Sequence, residues 1–336
     1  MPIFAYFNPY YDQTLLGFFW QLFIRLSGFL SGQIPLADIA TDEVQILVLI
    51  GVASSSALVG SFLILRKMSM LANSISHTIL VGIVIAFILT REGFIGESSH
   101  HEAINIEVML IASLIMGVLT SVLTEFLTKT VRLQEDASTG LVFTTLFALG
   151  IILVTVLTRN AHIGAEIVMG NVDALHIDDC KLVFIILGIN LLLFSVFYKE
   201  FMVTTFDPGL ARALGFSTTF FNYLLMIQVS ATVVGAFRAV GVLMVLAFIT
   251  GPPLAARMLT DDLKKMLMIA MGIGCSASII GVAITRHILT ISGIALSTAG
   301  VVVCTIVTIY LITLLFAPES GLYSRWRYRE QLKQQQ

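Results

Sequence analysis

Asn73 and His77 stand four residues apart, so a helix presents both from one face. An amide oxygen and an imidazole nitrogen are donors that first-row divalent cations accept. Two donors make a partial site, suited to a passing ion rather than a trapped one. The pair lies in RKMSMLANSISHTILVG (66–82), just after a basic dipeptide. Val44 to Leu65 carries no charge, and His77 is the one ionisable residue from Met68 to Thr90. Polar side chains are costly inside such an apolar run unless they face a partner or a water-filled path, so both are functional candidates.

Other chemistries are absent from the sequence. His101-Glu102 begins a zinc-protease pattern, but position 105 is Asn and the segment reads as a loop. There is no Gly-Lys dipeptide to build a phosphate-cradling loop and no GxSxG elbow. If nucleotide is consumed, a separate subunit must bind it. Cys180, Cys275 and Cys304 are too scattered for a disulfide framework or a metal site. Cys275 and Cys304 are expected as small core residues.

The elements that must carry Asn73 and His77 are membrane spans. The chain is 57% hydrophobic and 12% charged, with mean hydropathy +0.95, whereas soluble domains average about 25% charged. It is an all-α, polytopic membrane helix bundle. Runs of about 20 apolar residues fall near 14–31, 44–65, 68–90, 105–127, 137–158, 182–198, 218–236, 239–257, 265–285 and 288–316. Eight to ten transmembrane helices are expected, with ten preferred. The first is weakened by Arg25 and Gly28, and 218–257 reads as two spans or one long broken one. Arg25 is the first basic residue, so no charged leader is visible and the first span is expected to act as its own insertion signal.

With both termini inside, Arg66, Lys67, Lys129, Arg132, Lys199, Arg212, Arg257, Lys264, Lys265 and the tail basics Arg325, Arg327, Arg329 and Lys333 all fall on the cytoplasmic side. Only Arg91, Arg159, Lys181, Arg238 and Arg286 fall outside, as the positive-inside rule requires. The outside loops are acidic: 38–43, 92–107 with His100 and His101, and 159–181 with His162, Glu166, Asp173, His176, Asp178 and Asp179. Together they read as a mouth attractive to cations.

Small residues at helical spacing, Gly51 with Ser55 and Ser56 with Gly60, predict close helix contacts. Gly251, Pro252 and Pro253 predict a helix break. In the cytoplasmic segment KEFMVTTFDPGLARALGFS, Asp207 before Pro208 is a cap followed by proline at the first helical position, and Gly215 closes the turn. This predicts a short surface helix suited to docking a soluble partner, with Gly209 and Arg212 on it.

RKMSMLANSISHTILVG (66–82), EDASTGLVFTTLFALGIIL (135–153), MGN (169–171), YKEFMVTTFDPGLARALG (198–215) and VGVLMVLAFITGPPLAA (240–256) occur in this order. On them the chain resembles the integral permeases of bacterial ABC transporters for zinc, manganese and iron, from about residue 44 to 316. The resemblance implies a type II importer in the plasma (inner) membrane. Its parts would be two permease subunits, alike or different, two cytoplasmic ABC ATPases and an extracytoplasmic metal-binding protein. It implies that Asp207, Pro208, Gly209, Arg212 and Gly215 form the coupling helix. No cofactor is expected beyond the transported divalent ion, and no nucleic acid.

In the family the first landmark reads Asp-x-x-x-His and lines the metal path. Here Asn73 replaces the acid, so a carboxylate is lost. Glu166 stands where relatives carry a polar residue or His before the MGN-like segment. The expected organisation is an N-terminal extension with the first span (1–43), the permease domain (44–317) and a basic cytoplasmic tail (318–336). An ion-coupled secondary transporter is the alternative, although only Arg25, His77 and Glu125 are ionisable within the spans, too few for a relay.

Overall fold

The structure, a computed structural model, describes residues 8–32, 35, 38–91, 106–158, 172–317, 321 and 323. Its helices are α1 (Leu15–Leu30), α2 (Thr41–Leu65), α3 (Ser69–Arg91), α4 (Ile106–Lys129), α5 (Glu135–Thr158), α6 (Ile177–Val196), α7 (Tyr198–Phe206), α8 (Pro208–Ala213), α9 (Thr218–Val240), α10 (Val242–Leu259), α11 (Leu263–Ser292) and α12 (Thr298–Phe316). Among the described residues there is no strand, and nine helices (α2–α6 and α9–α12) are long and apolar enough to cross a membrane. The first span expected from the sequence is a shorter apolar helix, α1.

Local chemistry sets the ends. Thr14, Ser217 and Asp262 cap α1, α9 and α11 by accepting from Gly17, Phe220 and Lys264 amides. Gly293, at φ 65°, closes α11 in the left-handed conformation. The doubtful 218–257 stretch is two helices joined by Gly241 alone, whose φ of 78° and ψ of 165° suit glycine.

The centre is α2. In its spanning window 83% of residues are buried, against 17% in α6 and α12 and 22% in α5, which form the periphery. α2 packs with α10 and α11, and α12 closes that group. α3, α4 and α5 form a second group, and α9 bridges the two by touching α2, α3 and α4. Between apolar helices in lipid, close packing and hydrogen bonds replace the hydrophobic drive. Gly51 faces Val183, and Gly60 faces the Ile249 backbone. Asn190 donates to Ser55 Oγ at 2.7 Å and Thr232 Oγ1 at 2.8 Å, joining α6, α2 and α9. Thr120 Oγ1 donates to Thr78 Oγ1 at 2.8 Å, joining α4 and α3.

α10 runs unbroken through Gly251, Pro252 and Pro253, so the helix break expected there is absent and the interruption lies at Gly241. Pro253 has no N–H for the Ile249 carbonyl, four residues back. That carbonyl is accommodated against Gly60 of α2, where the lack of a side chain admits it. The backbone neighbour supplied by another helix, not the proline pair by itself, decides whether the helix continues.

A second correction concerns the acidic segment 38–43 at the start of α2. Asp42 and Glu43 are buried and paired rather than open to cations. Asp42 binds Arg286 and accepts from Asn8 at 2.7 Å. Glu43 binds Arg25 and accepts from Tyr10 Oη and the Ala40 amide, both at 2.8 Å. This ties the N-terminal segment and α1 to α2 and α11. Asp173 contacts Gln45 and Thr298, and Asp179 caps its own helix at the His176 amide. Cys304 is exposed on α12 and Cys275 is half-buried beside Ser54, so neither is a core residue.

Candidate functional site

Only two residues, Lys67 and Met68, separate Arg66, the C-cap of α2, from the start of α3. The link is a tight closure in which the Lys67 amide donates to Ile64 O at 3.0 Å and the Met68 amide to Leu63 O at 2.9 Å. Lys67 adopts a φ of 62° to make it. Asn73 and His77 then follow one and two turns into α3, on one face and both half-buried, while Ala72, Ile75, Ile79 and Leu80 are buried against neighbouring helices.

The sequence missed the walls of this site. The His77 ring lies 5.3 Å, centroid to centroid, from both Phe143 and Phe147 of α5, which stack on each other at 5.7 Å. The two phenylalanines share the i, i+4 spacing of Asn73 and His77, and that aromatic repeat in the 135–153 landmark is the one signal that could have found them. Among the described residues neither the Asn73 nor the His77 side chain forms a hydrogen bond. Also among those residues, no three His, Cys, Asp or Glu side chains gather to hold a metal. The arrangement therefore offers one imidazole and one amide oxygen beside an aromatic wall. Glu166 and the MGN segment lie outside the described residues, as do His100 and His101.

Asp207, Pro208, Gly209, Arg212 and Gly215 are brought together around one short helix, α8. Asp207 Oδ1 accepts from the Gly209 amide at 3.0 Å and the Leu210 amide at 2.9 Å, with Pro208 opening α8. Arg212 Nε donates to Pro208 O at 3.1 Å. At the other end Gly215, at φ 84°, donates to Arg212 O, and Phe216 to Ala211 O. Ala211 is buried and seats the helix, whereas Leu210 (49%) and Leu214 (57%) are exposed. Gly251, Pro252 and Pro253 belong to neither site; Gly251 packs on Ile306 of α12.

The model of the ABC 3 transport family matches residues 43–317. The probable metal transport system membrane protein of Chlamydia trachomatis is 38% identical over 93% of this chain and 95% of its own. The manganese transport system membrane protein MntC of Listeria innocua is 34% identical over 80% of this chain and 87% of its own. The solved structure of PsaBC from Streptococcus pneumoniae in complex with Fab superposes with a TM-score of 0.69 at 26% identity, covering 88% of this chain and 97% of that one. The matched span runs from the first turn of α2 to the end of α12 and holds both the Asn73–His77 pair and α8, and the chain belongs to the ABC 3 transport family as a membrane-spanning transport subunit rather than an enzyme.

Proposed function

We propose that this chain is the permease of an ATP-driven importer of a divalent transition metal, manganese, zinc or iron, and that α3 lines the path. The observation that carries the reading is His77: an imidazole inside an apolar span, half-buried against two phenylalanines, with no hydrogen bond among the described residues. Buried structural histidines are ordinarily hydrogen-bonded. A nitrogen ligand kept unpartnered can instead bind a passing ion weakly enough to release it. Asn73, one turn nearer Arg66, supplies the oxygen, and a second permease subunit across the path supplies further donors. The names of the relatives support metal as cargo.

The test is initial uptake of labelled manganese, zinc and iron by cells that depend on this transporter. His77→Ala should lower uptake of the transported metal about tenfold, equivalent to about 1.4 kcal/mol, at unchanged membrane abundance. Asn73→Asp should change the metal preference, because a carboxylate adds a charged hard donor. Wild-type rates for all three metals in both variants would make the pair structural.

In the same reading α8 seats a separate cytoplasmic ATPase, and an extracytoplasmic binding protein delivers the ion at the opposite end. Both termini are then cytoplasmic in a bacterial plasma membrane, a sidedness supported by the basic residues gathered near Arg66, Lys129, Lys199, Arg212 and Lys264. Gly215→Val puts a β-branched residue at a φ of 84°, a left-handed conformation costing about 1–2 kcal/mol. It should reduce co-purification with the ATPase at least several-fold while the permease stays in the membrane. Co-purification at the wild-type level would count against α8 as the seat.

A further inference from the structure

Arg66 is half-buried just past the end of α2, and desolvation draws its guanidinium down to about 10, still cationic at neutral pH. Among the described residues it has no acidic partner. Its three nitrogens instead reach three neutral oxygens on two other elements: Nε to Thr205 Oγ1 at 3.0 Å, Nη2 to Thr204 Oγ1 at 3.1 Å and Nη1 to Asn222 Oδ1 at 3.1 Å. The Thr204 hydroxyl spends its own proton on Glu200 O at 2.7 Å, so a lone pair is left facing the arginine. A planar fork with three fixed acceptors holds a position and an angle, which a flexible ammonium does not.

Asn222 anchors the guanidinium to α9, and the contact with α7 is the one the proposed function needs. Thr204 and Thr205 form the last turn of α7, immediately before the Asp207 cap of the docking helix. On the other side Arg66 caps α2, and the tight closure through Lys67 and Met68 leads straight into α3. Asn73 and His77 lie roughly 6 Å and 12 Å along α3 from Ser69, at about 1.5 Å per residue. No flexible loop intervenes between the docking helix and the polar pair.

We infer that Arg66 is a positioning residue that couples the two, so that displacement of α7 and α8 moves the start of α3 and with it Asn73 and His77. The inference deepens the proposed function and rests on it. A residue that merely held the fold together would lower hydrolysis and transport alike when lost, whereas a coupling strut separates them.

The experiment uses the complete transporter with its ATPase and binding protein in proteoliposomes, with manganese and zinc as probes, and measures ions imported and ATP hydrolysed in one preparation. Arg66→Gln should keep hydrolysis within about twofold of wild type and cut uptake at least tenfold, lowering ions moved per ATP. Thr204→Val with Thr205→Val, which keeps the charge and the shape of α7, should reproduce the loss. Adding it to Arg66→Gln should cost nothing more, since one network is removed only once. If Arg66→Gln fails to assemble, the threonine pair decides by itself. An unchanged ion-to-ATP ratio in the threonine variant, or additive losses, would overturn the strut. A wild-type complex with no ATP-dependent uptake of either metal would overturn the proposed function beneath it, and that result is distinct.

Discussion

Gly60→Val should all but abolish recovery of folded protein. A Cβ at this position would lie 2.8 Å from the carbonyl carbon of Ile249 and closer still to its oxygen. The obstacle is backbone on a buried face of α10, next to Pro252 and Pro253, so no rotamer change relieves it. Overpacking a core costs about 1–3 kcal/mol, more where nothing can yield, and this site belongs to the second kind. Even Gly60→Ala should lower the melting temperature in detergent. Gly188→Ala is the control: nothing lies within 4 Å of its Cβ position, and removing a helical glycine should be neutral or stabilising by up to about 1 kcal/mol. Yield and melting of extracted protein check both, and a Gly60→Val protein that melts like wild type would refute the close α2–α10 contact.

Glu43→Ala should be the most damaging change at the end of the bundle where α2 begins. The carboxylate binds Arg25 and accepts from Tyr10 and the Ala40 amide, so its removal leaves a phenol and a backbone N–H without their acceptor and a guanidinium with only the Asp38 carbonyl. Tyr10 is fully buried, and its hydroxyl is held protonated above the usual tyrosine range by burial first and then by Glu43. Removing one partner of a buried pair costs about 3–5 kcal/mol. The expected result is a lower melting temperature together with proteolytic release of the segment before α2. Arg25→Ala should cost less, because the remaining carboxylate keeps two donors. A Glu43→Ala loss below about 1 kcal/mol would show that the cluster does not hold α1.

What the sequence determined by itself was local. Spans are legible because hydropathy is a property of a run, although α1 proved a shorter apolar helix than the rest. The common face of Asn73 and His77 follows from helical geometry alone. α8 was legible residue by residue, since Asp207, Pro208 and Gly215 act on backbone within a few positions of themselves. What only the tertiary structure decided depends on who the neighbour is. Pro252 and Pro253 read as a break, yet the carbonyl they strand is accommodated by a glycine on another helix. Asp42 and Glu43 read as an open acidic mouth until Arg286, 244 positions away from Asp42, and Arg25 neutralise them. The aromatic wall beside His77 comes from a different span, and the acceptors of Arg66 lie 138 to 156 positions along the chain. Propensity, capping and hydropathy act over a few residues; pairings across such separations are set by how the helices pack, because packing alone chooses which distant groups share a low-dielectric interior and must satisfy one another there.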